Sequence, residues 1–202
     1  MPHTITFSVR LALVVLLTGA LGCSSDLLLP DPTGGGQTIG ALTAANGDGQ
    51  TGTVGELLPN PLVVRVLTQA EEPAGGVEVS FELADPAAGT LDHATATTNT
   101  TGEAFAHWTL GTLPGSYTVV ARLVGAEGEE KVAEFHALAR PGAPDTLSSQ
   151  IPLKQPGARG QPVDDAPLVR VVDRFGNPVP DVPVAWQVIA GEGRVDSPIT
   201  TT

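Results

Sequence analysis

Val77-Glu-Val-Ser-Phe-Glu-Leu83 and Val182-Pro-Val-Ala-Trp-Gln-Val188 decide the fold of this 202-residue chain. In the first stretch Val77, Val79, Phe81 and Leu83 point one way and Glu78, Ser80 and Glu82 the other. In the second, Val182, Val184, Trp186 and Val188 share a face opposite Pro183, Ala185 and Gln187. A period of two with one apolar and one polar side is the signature of a half-buried β-strand. The two stretches are 105 positions apart, and the match extends upstream at that offset without a gap. Val64-Arg-Val66 meets Val169-Arg-Val171, Pro73 meets Pro178, and Gly52-Thr-Val-Gly55 has a looser counterpart in Gly157-Ala-Arg-Gly160. Agreement of side-chain class at alternate positions implies one pleated register used twice.

The alternation recurs elsewhere. Ala104, Ala106, Trp108 and Leu110 alternate with Phe105, His107 and Thr109. Tyr117, Val119, Ala121 and Leu123 form another ladder, and Ala133, Phe135 and Ala137 a third. Gly- and Pro-containing turns separate them: Glu71-Glu-Pro-Ala-Gly-Gly76, Leu113-Pro-Gly-Ser116 and Arg174-Phe-Gly-Asn-Pro178. Beyond residue 22 no stretch sustains helical spacing while avoiding Gly and Pro. Short strands with regular turns over about 100 residues predict an all-β, immunoglobulin-like antiparallel sandwich. Tyr117, at a strand start, is either a tyrosine corner bonded to nearby backbone or a plain core residue.

As an ordered set, Pro61-Leu-Val-Val-Arg-Val66, Pro73, Val77-Glu-Val-Ser-Phe81, Gly89-Thr-Leu91, Thr101-Gly-Glu-Ala104, Trp108-Thr-Leu-Gly111 and Pro114-Gly-Ser-Tyr-Thr-Val119 resemble the group 1 bacterial immunoglobulin-like domain of invasin and intimin stalks. Val171-Val-Asp-Arg-Phe-Gly-Asn-Pro-Val179, Val182-Pro-Val-Ala-Trp186 and Gly191-Glu-Gly193 resemble it further. The resemblance covers about 37–202. It implies one complete unit over 37–140 and a second, truncated one over 141–202. The second ends before any counterpart of 102–138, so a longer repeat protein or a partly ordered second unit is expected. Arg65 and Arg170 share one outward strand position, with a structural role expected of their stems.

The chain opens with a secretory pattern over 1–22: His3 and Arg10, the apolar run Leu11-Ala-Leu-Val-Val-Leu-Leu17, then small residues. The run is too short to span a bilayer. Ala20-Leu-Gly-Cys23 resembles the lipobox of bacterial lipoproteins, which implies lipid attachment at Cys23, with Ala20 standing where the family prefers Leu. An ordinary leader with an incidental cysteine is the alternative. Acylation of the only cysteine would remove the risk of stray disulfides, and several acyl chains anchor far more firmly than one. Ser24 after the cysteine resembles the pattern of lipoproteins passed to the outer membrane of the bacterial envelope. Residues 23–36, with Pro30, Pro32 and Gly34-Gly-Gly36, form a flexible tether.

Lys and Arg number 10 against 22 Asp and Glu, a net charge of −12, which argues against nucleic acid as a partner. His93, His107 and His136 lack metal-ligand spacing and are expected at the surface. Asp164, Asp165 and Asp173 sit in no dense calcium-type loop. The serines lack a nucleophile-elbow setting. Glu127, Glu129 and Glu130 form an acidic hairpin tip expected to guard an edge. No catalytic residue, metal or cofactor is assigned. The expectation is a non-enzymatic envelope lipoprotein, held to the membrane by its lipid, whose repeats act as a scaffold or binding module toward a protein or polysaccharide. A lipid anchor in place of the β-barrel of invasins and intimins means that host-cell binding is not carried over. The alternative is the non-catalytic front of a larger secreted enzyme acting on polysaccharide.

Overall fold

The computed structural model describes residues 38–125, 131–152 and 154–202. The leader, the tether, Cys23 and the acidic tip at Glu127, Glu129 and Glu130 lie outside them. Fourteen strands follow in order: β1 Ile39–Asn46, β2 Gln50–Thr53, β3 Leu62–Thr68, β4 Glu78–Leu83, β5 Gly89–Leu91, β6 Thr95–Thr97, β7 Glu103–Ala106, β8 Trp108–Leu110, β9 Gly115–Leu123, β10 Val132–Arg140, β11 Thr146–Ser149, β12 Val169–Val172, β13 Pro183–Ala185 and β14 Ile199–Thr201. A 3₁₀ turn, Pro86–Ala88, is capped by the Asp85 carboxylate on the Ala87 N–H.

Strands β1-β3-β7 form one sheet and β2-β10-β9-β4-β6 the other. All pairings are antiparallel except β2 with β10. This is the immunoglobulin arrangement. The first strand is split between layers as β1 and β2. The second and fifth, β3 and β7, lie in one layer, and the third, sixth and seventh, β4, β9 and β10, lie in the other. The layers meet through the faces read from the sequence. Leu62, Val64 and Val66 of β3 and Ala104 and Ala106 of β7 oppose Val79, Phe81, Val119, Ala121, Phe135 and Ala137, all buried. Trp108 is wholly buried, and its indole N–H donates to the Ala88 carbonyl at 2.9 Å. Full burial of each such side chain contributes roughly 1.5–3 kcal/mol. The Tyr117 hydroxyl donates to the Leu113 carbonyl at 3.0 Å, making the tyrosine corner.

The ladder from Ala104 to Leu110 is not one strand. It breaks at His107: β7 pairs with β3, whereas β8 pairs with β5. Alternation persists across the break because the inner face stays the same when the partner changes.

Beyond Arg140 the hydrogen bonds of the first unit recur. Thr43 faces Arg65 and Ser148 faces Arg170, both in antiparallel pairs (β1 with β3, β11 with β12). The Ala74 N–H donates to the Val66 carbonyl, and the Val179 N–H to the Val171 carbonyl. Glu71 and Gly176 occupy the same turn position with φ of 62° and 84°. Only glycine takes that conformation without cost. The Thr98 hydroxyl donates to the Ala74 carbonyl at 2.7 Å and accepts from the Val77 N–H at 2.9 Å. Thr202 repeats this clasp on Val179 and Val182 at 2.9 and 3.1 Å.

One expectation is corrected in length. The strand starting near Val182 stops at Ala185. Val184 is buried, Trp186 is half-buried, and Val188 is exposed. Strand β4 is flanked on both sides, by β9 and β6. Strand β13 pairs with β14 alone among the described residues, and past Ala185 the pairing continues only in the Trp186 N–H donating to the Pro198 carbonyl at 2.8 Å.

Candidate functional site

The best-ordered polar cluster lies where the two segments meet. β12 runs into the turn Asp173-Arg-Phe-Gly-Asn177. The Asp173 N–H donates to the Asn177 carbonyl and the Gly176 N–H to the Asp173 carbonyl, each at 2.9 Å. This fold-back aims the Asp173 carboxylate at its own turn. Oδ1 accepts from the N–H groups of Phe175 and Asn177, and Oδ2 accepts from the Asn177 amide and the Gly142 N–H, all four at 2.9 Å. Asp173 and Asn177 are both buried. Burial opposes the charged form of Asp173, yet the Asn177 amide and the N–H groups of Gly142, Asn177 and Phe175 outweigh it. They lower its pKa from an ordinary 3.8 to about 2. The remaining donor of Asn177 reaches the Thr112 carbonyl of the first unit at 2.8 Å. All four donors to the carboxylate are N–H groups of its own turn and of Gly142, so it is taken up in holding that turn, and the Asn177 amide makes the bond to the first unit.

Next to this turn lies a cleft of about 820 Å³. It is lined by Val169, Val171, Val179, Val184 and Trp186, with Pro114 and Pro141 at one end. Moved back by 105, the first five are Val64, Val66, Ala74, Val79 and Phe81, all core residues of the first unit. The cleft is therefore the second segment's counterpart of that core. The Trp186 indole N–H donates to Thr200 Oγ1 at 2.8 Å.

The histidines are at the surface as expected, but two carboxylates gather them. His107 Nδ1 lies 2.8 Å and His93 Nε2 3.2 Å from Asp92 Oδ2. His136 Nδ1 lies 3.2 Å from Asp48 Oδ1. Partial burial raises the Asp92 pKa, but the His107 N–H groups and the charges on both imidazoles bring it below its ordinary value. Asp48 is lowered chiefly by the His136 backbone N–H. Among the described residues no group of three or more His, Cys, Asp or Glu is placed to hold a metal ion.

No family model and no curated protein matches the chain. Solved structures do resemble it. The Escherichia coli adhesin FdeC aligns with TM-score 0.46 at 20% identity, over 73% of this chain and 47% of that one. The Yersinia pseudotuberculosis adhesin InvE aligns with TM-score 0.45 at 20% identity, over 74% and 40%. A C-terminal intimin fragment, solved with the intimin-binding domain of the translocated intimin receptor, aligns with TM-score 0.37 at 24% identity, over 56% and 35%. The chain spans less than half the length of each of these structures. The fold itself rests on the strand order described above.

Of the residues singled out from the sequence, Arg65 and Arg170 occupy equivalent exposed positions. Asp164 and Asp165 are exposed, and the Asp165 backbone exchanges hydrogen bonds with the Gln155 amide. Asp173 is the one that takes part in a built site. The sequence reading missed Asn177, Asp48 and Asp92. For Asn177 the available signal was an Asp four residues before an Asn with Gly between, a spacing suited to an Asx turn.

Proposed function

We propose that this chain is a non-enzymatic lipoprotein of the bacterial cell envelope, anchored at Cys23 and carried to the outer membrane. Tandem immunoglobulin-like units, one over 37–140 and a second begun over 141–202, act as a projecting scaffold or adhesion module toward a protein or polysaccharide at the cell surface. The observation that carries the scaffold reading is the recurrence at an offset of 105 of a strand pair and a left-handed turn, and of a threonine clasp one residue short of that offset, with the second segment bonded to the first through Asn177 and the Thr112 carbonyl. Repeating a self-contained unit lengthens reach without enlarging any single core. The resemblance of the Cys23 segment to a lipobox supports the anchor, and the tether over 23–36 supplies separation from the bilayer.

Membrane fractionation of cells expressing the full chain tests this. The wild-type protein sediments with membranes and incorporates labelled palmitate, while Cys23→Ala is released to the soluble fraction and carries no label. Retention of Cys23→Ala in the membrane pellet would refute the anchor. Loss of the Asn177 contact to the Thr112 carbonyl in solution would refute the tandem scaffold.

A further inference from the structure

The turn after β12 has an inward side, which closes on Asp173, and an outward side, which meets the first unit. On the outward side, the Phe175 ring and the Arg174 guanidinium lie over Gly55. A Cβ built on Gly55 would fall 2.7 Å from Phe175 Cζ and 3.4 Å from Arg174 Nη2. Arg174 in turn stacks on Phe175, with its Cζ 4.6 Å from the ring centroid. Gly55 is itself held by its N–H on the Gly111 carbonyl at 2.9 Å, one residue before the Thr112 carbonyl that Asn177 grips. Gly142, which donates to Asp173, completes the surface. Two loops of the first unit, after β2 and β8, together with the junction at Gly142, thus form a socket floored by a glycine.

The corresponding turn of the first unit is built differently. Thr68 Oγ1 accepts from the N–H groups of Ala70 and Glu72 at 3.3 Å, the positions that donate to Asp173 in the second. The internal geometry is kept, but Ala70 stands for Phe175, Gln69 for Arg174 and Glu72 for Asn177. The outward side therefore carries no aromatic, and a carboxylate, Glu72, stands where Asn177 places its amide.

We propose that Arg174, Phe175 and Asn177 form a plug that recognises the socket of the preceding immunoglobulin-like unit and fixes the angle between the two. Gly55 is the specificity-determining residue of that socket. The docking is head-to-tail, and it predicts which units can follow one another: a unit whose turn lacks the aromatic and the final amide, as 68–72 does with Ala70 and Glu72, does not dock in this way. Motion between domains is the default unless such contacts hold them. The inference rests on the tandem reading above and not on the lipid. Fractionation addresses the anchor, whereas the test below addresses the junction alone.

The test measures distances between spin labels at Thr90→Cys and Ser148→Cys in the full-length chain, with Cys23→Ala so that these are the only thiols. Double electron–electron resonance gives one narrow distribution. Asn177→Ala, which lets go of Thr112 and of Asp173, and Gly55→Ala, which changes the first unit and sets a Cβ against Phe175, each broaden it about twofold or more, whereas Gly49→Ala, at a similar φ of 70° with nothing within 4 Å, leaves it narrow. Trp108 fluorescence stays unchanged in both. A broad distribution in the unmodified pair would overturn the proposal. So would broadening by Asn177→Ala without broadening by Gly55→Ala, because the turn would then serve only its own unit.

Discussion

Replacing Thr98 with valine isolates one hydroxyl whose work the structure defines. In the first unit Thr98, Ala74 and Val77 are all buried. The hydroxyl donates to the Ala74 carbonyl at 2.7 Å and accepts from the Val77 N–H at 2.9 Å. Valine fills nearly the same space but leaves a buried donor and a buried acceptor without partners. Each costs about 1–3 kcal/mol, partly offset by the added methyl, for a net loss of about 2–4 kcal/mol. With a urea slope of about 1–2 kcal/mol/M the midpoint falls by about 2 M. Trp108 fluorescence in a Trp186→Phe background follows the first unit's unfolding. Thr202 makes the same two bonds, but it is exposed, so water replaces its hydroxyl and Thr202→Val costs under about 0.5 kcal/mol. Hydrogen exchange separates the cases at single amides: protection at Val77 drops by about 100-fold, while Val182 changes by less than about threefold. Equal losses at the two sites, or less than about 1 kcal/mol at Thr98, would refute the argument that burial sets the cost.

Two further perturbations follow from the same geometry. Glu71→Gly relieves a non-glycine residue at φ 62° in the turn where the second copy has Gly176. It should raise the first unit's stability by about 0.5–1 kcal/mol in denaturant titration, and a loss would contradict the strain argument. The Asp92 pKa is lowered in the folded state, so its contribution is complete above the unfolded value near 3.8 and disappears as pH falls through the folded one. The stability gap between wild type and Asp92→Asn is therefore wider at about pH 6 than at about pH 3. Comparing the two chains cancels the general repulsion of an acidic protein, and a gap that widens on acidification would show the carboxylate to be unengaged.

The core was legible because burial and side-chain alternation are one geometric fact. The faces of Val77–Leu83, Tyr117–Leu123 and Ala133–Ala137 could be assigned before any partner strand was known. Partnership itself was not legible. The break at His107 leaves the alternation intact while β7 and β8 pair with different strands. The end of β13 at Ala185 depends on neighbours that Trp186 and Val188 cannot signal. Asp48 meets His136 across 88 residues, next to where parallel β2 joins β10, and no local pattern anticipates that. Asp173 was noticed as a loop carboxylate. Its role depends on Gly142, 31 residues earlier.

The two copies keep the same hardware and differ in its outward chemistry. The strand pair and the threonine clasp recur with the same backbone partners in both copies, although those of the clasp are buried in the first and partly open to water in the second. The tip of the turn makes no such demand on its side chains, since its backbone bonds to itself in both copies. Gln69 and Ala70 are free to differ from Arg174 and Phe175 without cost to either core, whereas Asn177 also donates to the buried Asp173 carboxylate of its own turn. Of these two sets, only the second faces a carbonyl and a glycine of another unit. The differences at the tip of this turn are thus the ones that bear on how the units meet. In a tandem array that position sets the angle between neighbours, and the angle between neighbours sets how far the chain can project.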